Sequence, residues 1–107
     1  MADPVWLLLM FDLPVKEPEQ RRVASKYRKL LLDEGFSMIQ LSVYVRHLIN
    51  GTAAIPVIEF LKNNVPAQGH VRILRLTDDQ WARGWRLYGS EYIEPEAPPD
   101  ALVLFDF

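Results

Sequence analysis

A chain of 107 residues, half of them hydrophobic and a quarter charged, can bury one compact core and is not disordered by composition. It has no cysteine, which excludes disulfides, thiolate metal sites and cysteine nucleophiles. The formal charge of −2 hides an asymmetry that permits an anionic partner without demanding one: residues 91–107 hold five acids and no base, leaving nine acids against twelve Lys and Arg in residues 1–90, a net of +3.

The first element is the unbroken apolar run Val5-Trp6-Leu7-Leu8-Leu9-Met10-Phe11. It is too short to span a bilayer and has the length of a fully buried strand. No basic region precedes it and no small-residue cleavage site follows, so the sequence predicts a cytoplasmic protein with no signal peptide and no membrane partner. The run ends at Asp12, with Pro14 preventing further pairing. A carboxylate at the rigid end of a central strand is held in a defined position. It serves there either as an ordinary turn former or as a ligand.

A helix is predicted from about Pro18 to Glu34, with proline in its first turn and Gly35 as the stop. Val23, Tyr27, Leu30 and Leu31 form its core stripe. Arg22, Lys26 and Lys29 make a ridge beside that stripe, and Arg21 and Arg28 lie opposite it. Five cations on one short helix are either a solvated face or a phosphate-binding surface. Residues 36–49 alternate as a strand but are long for a single one, so a break near Gln40–Ser42 is expected from length alone.

A second helix is predicted over about Thr52–Asn64, with Thr52 as N-cap and Ala54, Ile58 and Leu61 on one face. Pro56 is tolerable there if it lies in or near the first turn. After a breaker-rich loop, His70–Leu76 reads as a strand of mixed pattern. Thr77-Asp78-Asp79-Gln80 has capping-box form and predicts a short helix or turn over Trp81–Tyr88, on which Trp81, Trp85 and Tyr88 recur at helical spacing. Residues 89–100, with three prolines and several acids, suit an extended linker, and Ala101–Phe105 resumes a strand pattern.

With the long strand divided, the order is β-α-β-β-α-β, an α+β ferredoxin-like sandwich with an extra C-terminal strand. Residues 1–90 would form the domain, and residues 91–107 an arm and strand pairing with the sheet edge of a second copy, giving a homodimer. The catalytic inventory is thin. His47 and His70 lack metal-ligand spacing, and no phosphate loop or nucleophile elbow is present. A two-fold dimer would bring two copies of Asp12 together, and Mg²⁺ is commonly held by one or two carboxylates with water and substrate phosphate. Asp12 from two chains is thus a metal site by hypothesis, for an ion that activates water against a phosphodiester.

Met10-Phe11-Asp12-Leu13-Pro14, the Arg/Lys-rich helix, Gly35-Phe36-Ser37-Met38-Ile39-Gln40, Ser42-Val43-Tyr44 and Leu76-Thr77-Asp78-Asp79-Gln80 together resemble CRISPR-associated protein 2, over about residues 5–90. The similarity looks closest to the variety found with type II systems. The resemblance implies a ferredoxin-like homodimer whose C-terminal strand completes the partner's sheet. It implies a role in spacer acquisition, bridging the CRISPR integrase and supporting duplex DNA, and Mg²⁺-dependent endonuclease activity on RNA or DNA. The family's metal-binding aspartate maps onto Asp12. Many members have tyrosine where this chain has Phe11, so nothing assigned to that hydroxyl carries over. In that light Arg21, Arg22, Lys26, Arg28 and Arg46, then Arg72 and Arg75, are the candidate phosphate contacts, with pairing inside the sheet as the alternative for Arg46. Other readings are an architectural DNA-binding adaptor without catalysis and a ferredoxin-like domain regulated by a small ligand.

Overall fold

The computed structural model describes residues 3–87 and Gly89. The elements are β1 (Val5–Asp12), α1 (Pro18–Asp33), β2 (Ser37–Gln40), β3 (Val43–Leu48), α2 (Gly51–Lys62), β4 (His70–Thr77) and α3 (Asp78–Ala82). The chain divides into two compact units after Thr77. The first is the ferredoxin-like α+β fold: a four-stranded sheet in the order β2-β3-β1-β4, with every neighbouring pair antiparallel. The apolar run is the central strand, paired with β3 on one side and with β4 on the other.

Alternation along β1 separates two faces. Val5, Leu7, Leu9 and Phe11 join Ala24, Tyr27 and Leu31 of α1 and Ala54, Val57 and Leu61 of α2 in one buried core, so both helices cover the same face. Tyr44 of β3, register partner of Leu9, is fully buried in that core. Phe11 meets Tyr27 edge-on at 5.3 Å and stacks with Tyr44 at 5.9 Å between centroids. The other face carries Trp6, Leu8, Met10 and Asp12 of β1. Opposite them lie Val43, Val45 and His47 of β3, and His70, Arg72, Leu74 and Leu76 of β4. Trp6 and His47 pack ring on ring there at 4.5 Å.

Of the stripe predicted for α1, Tyr27 and Leu31 are buried and Leu30 packs against the core, but Ala24 and not Val23 completes the buried set. The entry of α1 is tied down by Gln20, whose Oε1 accepts from the amides of Lys16 and Glu17 at 3.0 Å. Its exit uses Gly35 at φ +93°, a left-handed position that glycine enters without a Cβ penalty. The break in residues 36–49 falls at Leu41–Ser42, where Ser42 itself takes φ +64° and substitutes for the missing glycine.

One expectation for α2 needs correction. The N-cap of α2 is Asn50, whose side chain accepts from the Ala53 amide at 2.8 Å, and Thr52 already lies inside the helix. Pro56 sits just past the first turn of α2, at an exposed position. Ala54 and Leu61 are buried with Ile58 packed against the core, and Val57 is buried as well.

In the second unit, α3 ends at Ala82 because Gly84 closes a turn onto the Trp81 carbonyl at 3.1 Å. The helix predicted to Tyr88 is therefore shorter, and Trp85 lies beyond it at 89% exposure. Tyr88, the acidic arm and the terminal strand lie outside the described residues. No helix among the described residues is long and apolar enough to cross a membrane.

Candidate functional site

Asp12 is the last residue of β1, and three contacts fix the backbone around it. Phe11 donates its amide to the Ser42 carbonyl at 3.0 Å on the β3 side. On the β4 side Asp12 pairs in register with His70. Beyond that pair, Leu13 is buried against Gly69: a Cβ on Gly69 would lie 2.6 Å from Leu13 Cδ2, so the two strand ends approach this closely only because residue 69 has no side chain. The carboxylate is nevertheless exposed, because β1 turns its even-numbered residues away from the helices.

A shallow hollow of about 210 Å³ opens at this corner, lined by Met10, Phe11, Asp12, His70 and Arg72. Asp12, His70 and Arg72 are all exposed, and none of their side chains makes a hydrogen bond or ion pair among the described residues. An unengaged carboxylate lining an open hollow fits a hard divalent cation, which takes oxygen donors and keeps several waters. Among the described residues there is no group of three or more His, Cys, Asp or Glu able to hold a metal. The described residues of one chain thus bring two such side chains, Asp12 and His70, to this corner.

The predicted phosphate contacts do not form one patch. Arg72 lies beside Asp12. Arg75 is the register partner of Leu7, on the helix-covered face, and lies near Gly51 at the start of α2. On α1 the five cations are mostly engaged. Arg21 donates to the carbonyls of Val15 and Lys16 at 3.1 and 2.9 Å, and Arg28 donates to Ser25 Oγ at 3.2 Å. Arg22 pairs with Glu19, whose carboxyl it holds below the usual carboxylate range by hydrogen bonding and by charge. Lys29 pairs with Asp33 at 3.0 Å. Lys26 is left without a partner among the described residues.

Arg46 belongs to the interior architecture. Its Nη1 donates to the Glu34 carbonyl at 2.6 Å and lies 4.0 Å from the Glu34 carboxylate, with the side chain only 29% exposed. The bare Gly35 is what admits it, since a Cβ there would stand 3.2 Å from Arg46 Nε. Arg46 thus neutralises the carbonyl end of α1, where that helix has no basic residue of its own.

The residue that sequence reasoning missed is His70. It sits 58 positions from Asp12, and only the β1–β4 register joins them. The one local signal is Gly69 before it, whose role emerges once Leu13 is seen against it.

The family model described as CRISPR associated protein Cas2 matches residues 5–83, from the start of β1 to just past α3. A protein of Flavobacterium psychrophilum named CRISPR-associated endoribonuclease Cas2 is 36% identical over 101 residues, 94% of this chain and 88% of that protein. Relatives of the same name from Parvibaculum lavamentivorans and Streptococcus mutans are 39% identical over 101 residues and 44% identical over 84. The first match covers 94% of this chain and all of the relative, the second 78% of each. A fold with β1 at its centre, an aspartate at the end of that strand and a match over most of the length agree: this chain belongs to the CRISPR-associated Cas2 family.

Proposed function

We propose that this protein acts in CRISPR spacer acquisition in the cytoplasm, as a homodimer that binds duplex DNA and bridges the integrase. We further propose that it is a metal-dependent endonuclease cutting phosphodiesters of RNA or DNA; its relatives are named endoribonucleases. The observation that supports the catalytic reading is Asp12, an exposed carboxylate at the end of a central strand, unengaged among the described residues. Asp12 would hold the cation through its carboxylate oxygens, as Mg²⁺ is commonly held by one or two carboxylates. When bound, such an ion supplies Lewis-acid polarisation of a phosphate and a more acidic water. Arg72, on the same side of the hollow, supplies a guanidinium to a phosphate oxygen and orients the scissile group. The short supply of ligands from one chain favours an ion shared by two copies of Asp12.

Dimerisation has its own support. The sheet face away from the helices is apolar along Leu8, Val45 and Leu74, with Leu74 42% exposed, and β4 is an edge among the described residues. We infer that residues 91–107 form the arm and strand that pair with the second copy. A monomer in sedimentation at micromolar concentration would remove this part.

For duplex binding, Lys26, Arg72 and Arg75 are the available cations, and Arg21, Arg22 and Arg28 contribute once their local partners are exchanged for phosphate. The second reading, an adaptor without catalysis, is favoured by the single carboxylate per chain. The deciding experiment is cleavage of labelled duplex DNA and single-stranded RNA by wild type and Asp12→Asn, with Mg²⁺ and with EDTA, recording duplex binding on the same samples. Metal-dependent cleavage lost in the variant with binding kept is the expected result. Equal traces of cleavage in both, with salt-sensitive binding, would leave the adaptor.

A further inference from the structure

We infer that His70 is a second metal ligand, its imidazole joining the Asp12 carboxylate on one ion, so that this corner binds Mn²⁺ and other first-row transition ions better than Mg²⁺. The inference deepens the metal-site reading of Asp12 and rests on it.

Four observations carry it. Asp12 and His70 are register partners across an antiparallel pair, and their side chains leave the sheet on the same face. Cross-strand partners hold their Cβ atoms about 4.5–5.5 Å apart, which lets an oxygen and a nitrogen donor both reach one ion. Both residues are exposed and line the same hollow. Although adjacent, neither is engaged in a hydrogen bond or ion pair among the described residues, so the ring nitrogens and the carboxylate oxygens keep their lone pairs for a third party. The backbone that sets the pair is over-determined by Leu13 packing onto Gly69 on one side and by the Phe11 amide on Ser42 on the other.

The donor chemistry sets the selectivity. A carboxylate and waters alone suit Mg²⁺, whereas an imidazole adds affinity along the first-row series and little for Mg²⁺. Arg72 shares the hollow and opposes a bare cation, so the pair is a weak site until a phosphate oxygen arrives to neutralise that guanidinium. With two donors from the described residues, an ion held here would have positions left for water and for a substrate oxygen.

The sequence makes the test clean, because His47 and His70 are the only histidines. The probe is Mn²⁺ added to the full-length protein and read by pulsed electron paramagnetic resonance. Coordinated imidazole gives a ¹⁴N modulation that water and carboxylate do not. The expected result is a ¹⁴N modulation in wild type and in His47→Gln, lost in His70→Gln and absent in Asp12→Asn at the same Mn²⁺ concentration. Labelling histidine with ¹⁵N should change the modulation in His47→Gln protein, a control that needs no substitution at position 70. His70→Gln should weaken Mn²⁺ about tenfold, the scale at which groups around a metal act, and Mg²⁺ (by competition) less than twofold.

Bound Mn²⁺ without nitrogen modulation overturns the inference, as does modulation that survives in His70→Gln, or wild type that binds no Mn²⁺. Failure of the nuclease reading looks different. Nitrogen modulation with no metal-dependent cleavage would sink the nuclease and leave the ligand. Cleavage lost in Asp12→Asn with no nitrogen on the ion would do the reverse.

Discussion

The outer surface of α1 and the far end of β1 both drew attention as charged regions, and they are built in opposite ways. On α1 the charges are answered locally. Arg22 has Glu19, Lys29 has Asp33, and Arg21 has two loop carbonyls within six residues. At the end of β1, Asp12, His70 and Arg72 come from two strands far apart in sequence, share one hollow, and answer to nothing nearby. Exposed pairs along a helix are weak and exchange readily for other partners. A carboxylate, an imidazole and a guanidinium that line one hollow, with side chains unpartnered among the described residues, leave their polar atoms open to a ligand. Counting charges along the chain gives the helix greater weight; asking which charges are already used gives it to the strand end.

The largest expected effect tests the strand end directly. Asp12→Asn should lower metal-dependent cleavage by about 100-fold or more, some 2.7 kcal/mol of transition-state stabilisation. The melting temperature should hardly move, since Asp12 is exposed and makes no contact that the substitution breaks. Calorimetry beside the cleavage assay checks both halves. A cooperative loss of stability with the activity would show that the carboxylate holds the strand end together, and the contrast between the two regions would fail.

Next in size is Arg46 against Arg72. Arg46→Ala removes a half-buried charged donor from the Glu34 carbonyl and should cost about 1.5–3 kcal/mol in denaturant unfolding. Its binding to duplex DNA should keep the salt dependence of wild type. Arg72→Ala should leave unfolding within about 0.5 kcal/mol and weaken duplex binding instead. Two arginines from the same sheet would thus separate into one that supports the fold and one that serves a ligand.

Smaller again is the effect of single cations on duplex binding. Each lost phosphate contact should reduce the slope of log affinity against log salt by about 0.9. Lys26→Ala and Arg72→Ala should each show that reduction. Arg22→Ala should show less, because its guanidinium is already shared with Glu19. Equal slopes for Arg22 and Lys26 variants would mean that the helix pairs dissolve on contact with DNA, and that pairing in the free protein does not rank the cations.

Much of the fold was legible because it is written locally. Seven apolar residues in a row mark the central strand, and the Gly35 position marks the end of α1. The β2–β3 turn was readable only from length, since Ser42 adopts a conformation that its side chain does not advertise. Asn50 and Thr52 are both good caps, and the choice between them depends on where the chain leaves β3. Tyr44 alternates in step with Gln40, Ser42 and Arg46 and not with Val43 and Val45, yet it is among the most buried residues because the whole sheet decides which side faces the helices. The site divides along the same line. Asp12 is at a strand end that the sequence displays, whereas His70 becomes its neighbour only through the register of β1 with β4.

The smallest effect probes the core beneath the site, at the one side chain that joins both regions. Tyr27 projects from α1 into the core and meets Phe11, the residue before Asp12, edge-on. Its hydroxyl is buried and makes no hydrogen bond to the protein. A buried hydroxyl without a partner carries a desolvation cost that phenylalanine avoids, so Tyr27→Phe should be neutral or stabilising by up to about 1 kcal/mol. Burial also raises its pKa, which fixes the sign of a pH effect. Below about pH 10 the hydroxyl is protonated in both folded and unfolded chains and adds no pH dependence. Above that, the unfolded chain ionises and the folded one resists, so the native state binds more protons and stability falls as pH rises. Tyr27→Phe should remove that part of the alkaline loss, read as a shallower fall in melting temperature from pH 9 to 11. A destabilised variant with an unchanged alkaline slope would mean that the hydroxyl is hydrogen-bonded through water reaching it from the groove beside Lys26 and Asn64, and that the helix face is more open to solvent than its packing suggests.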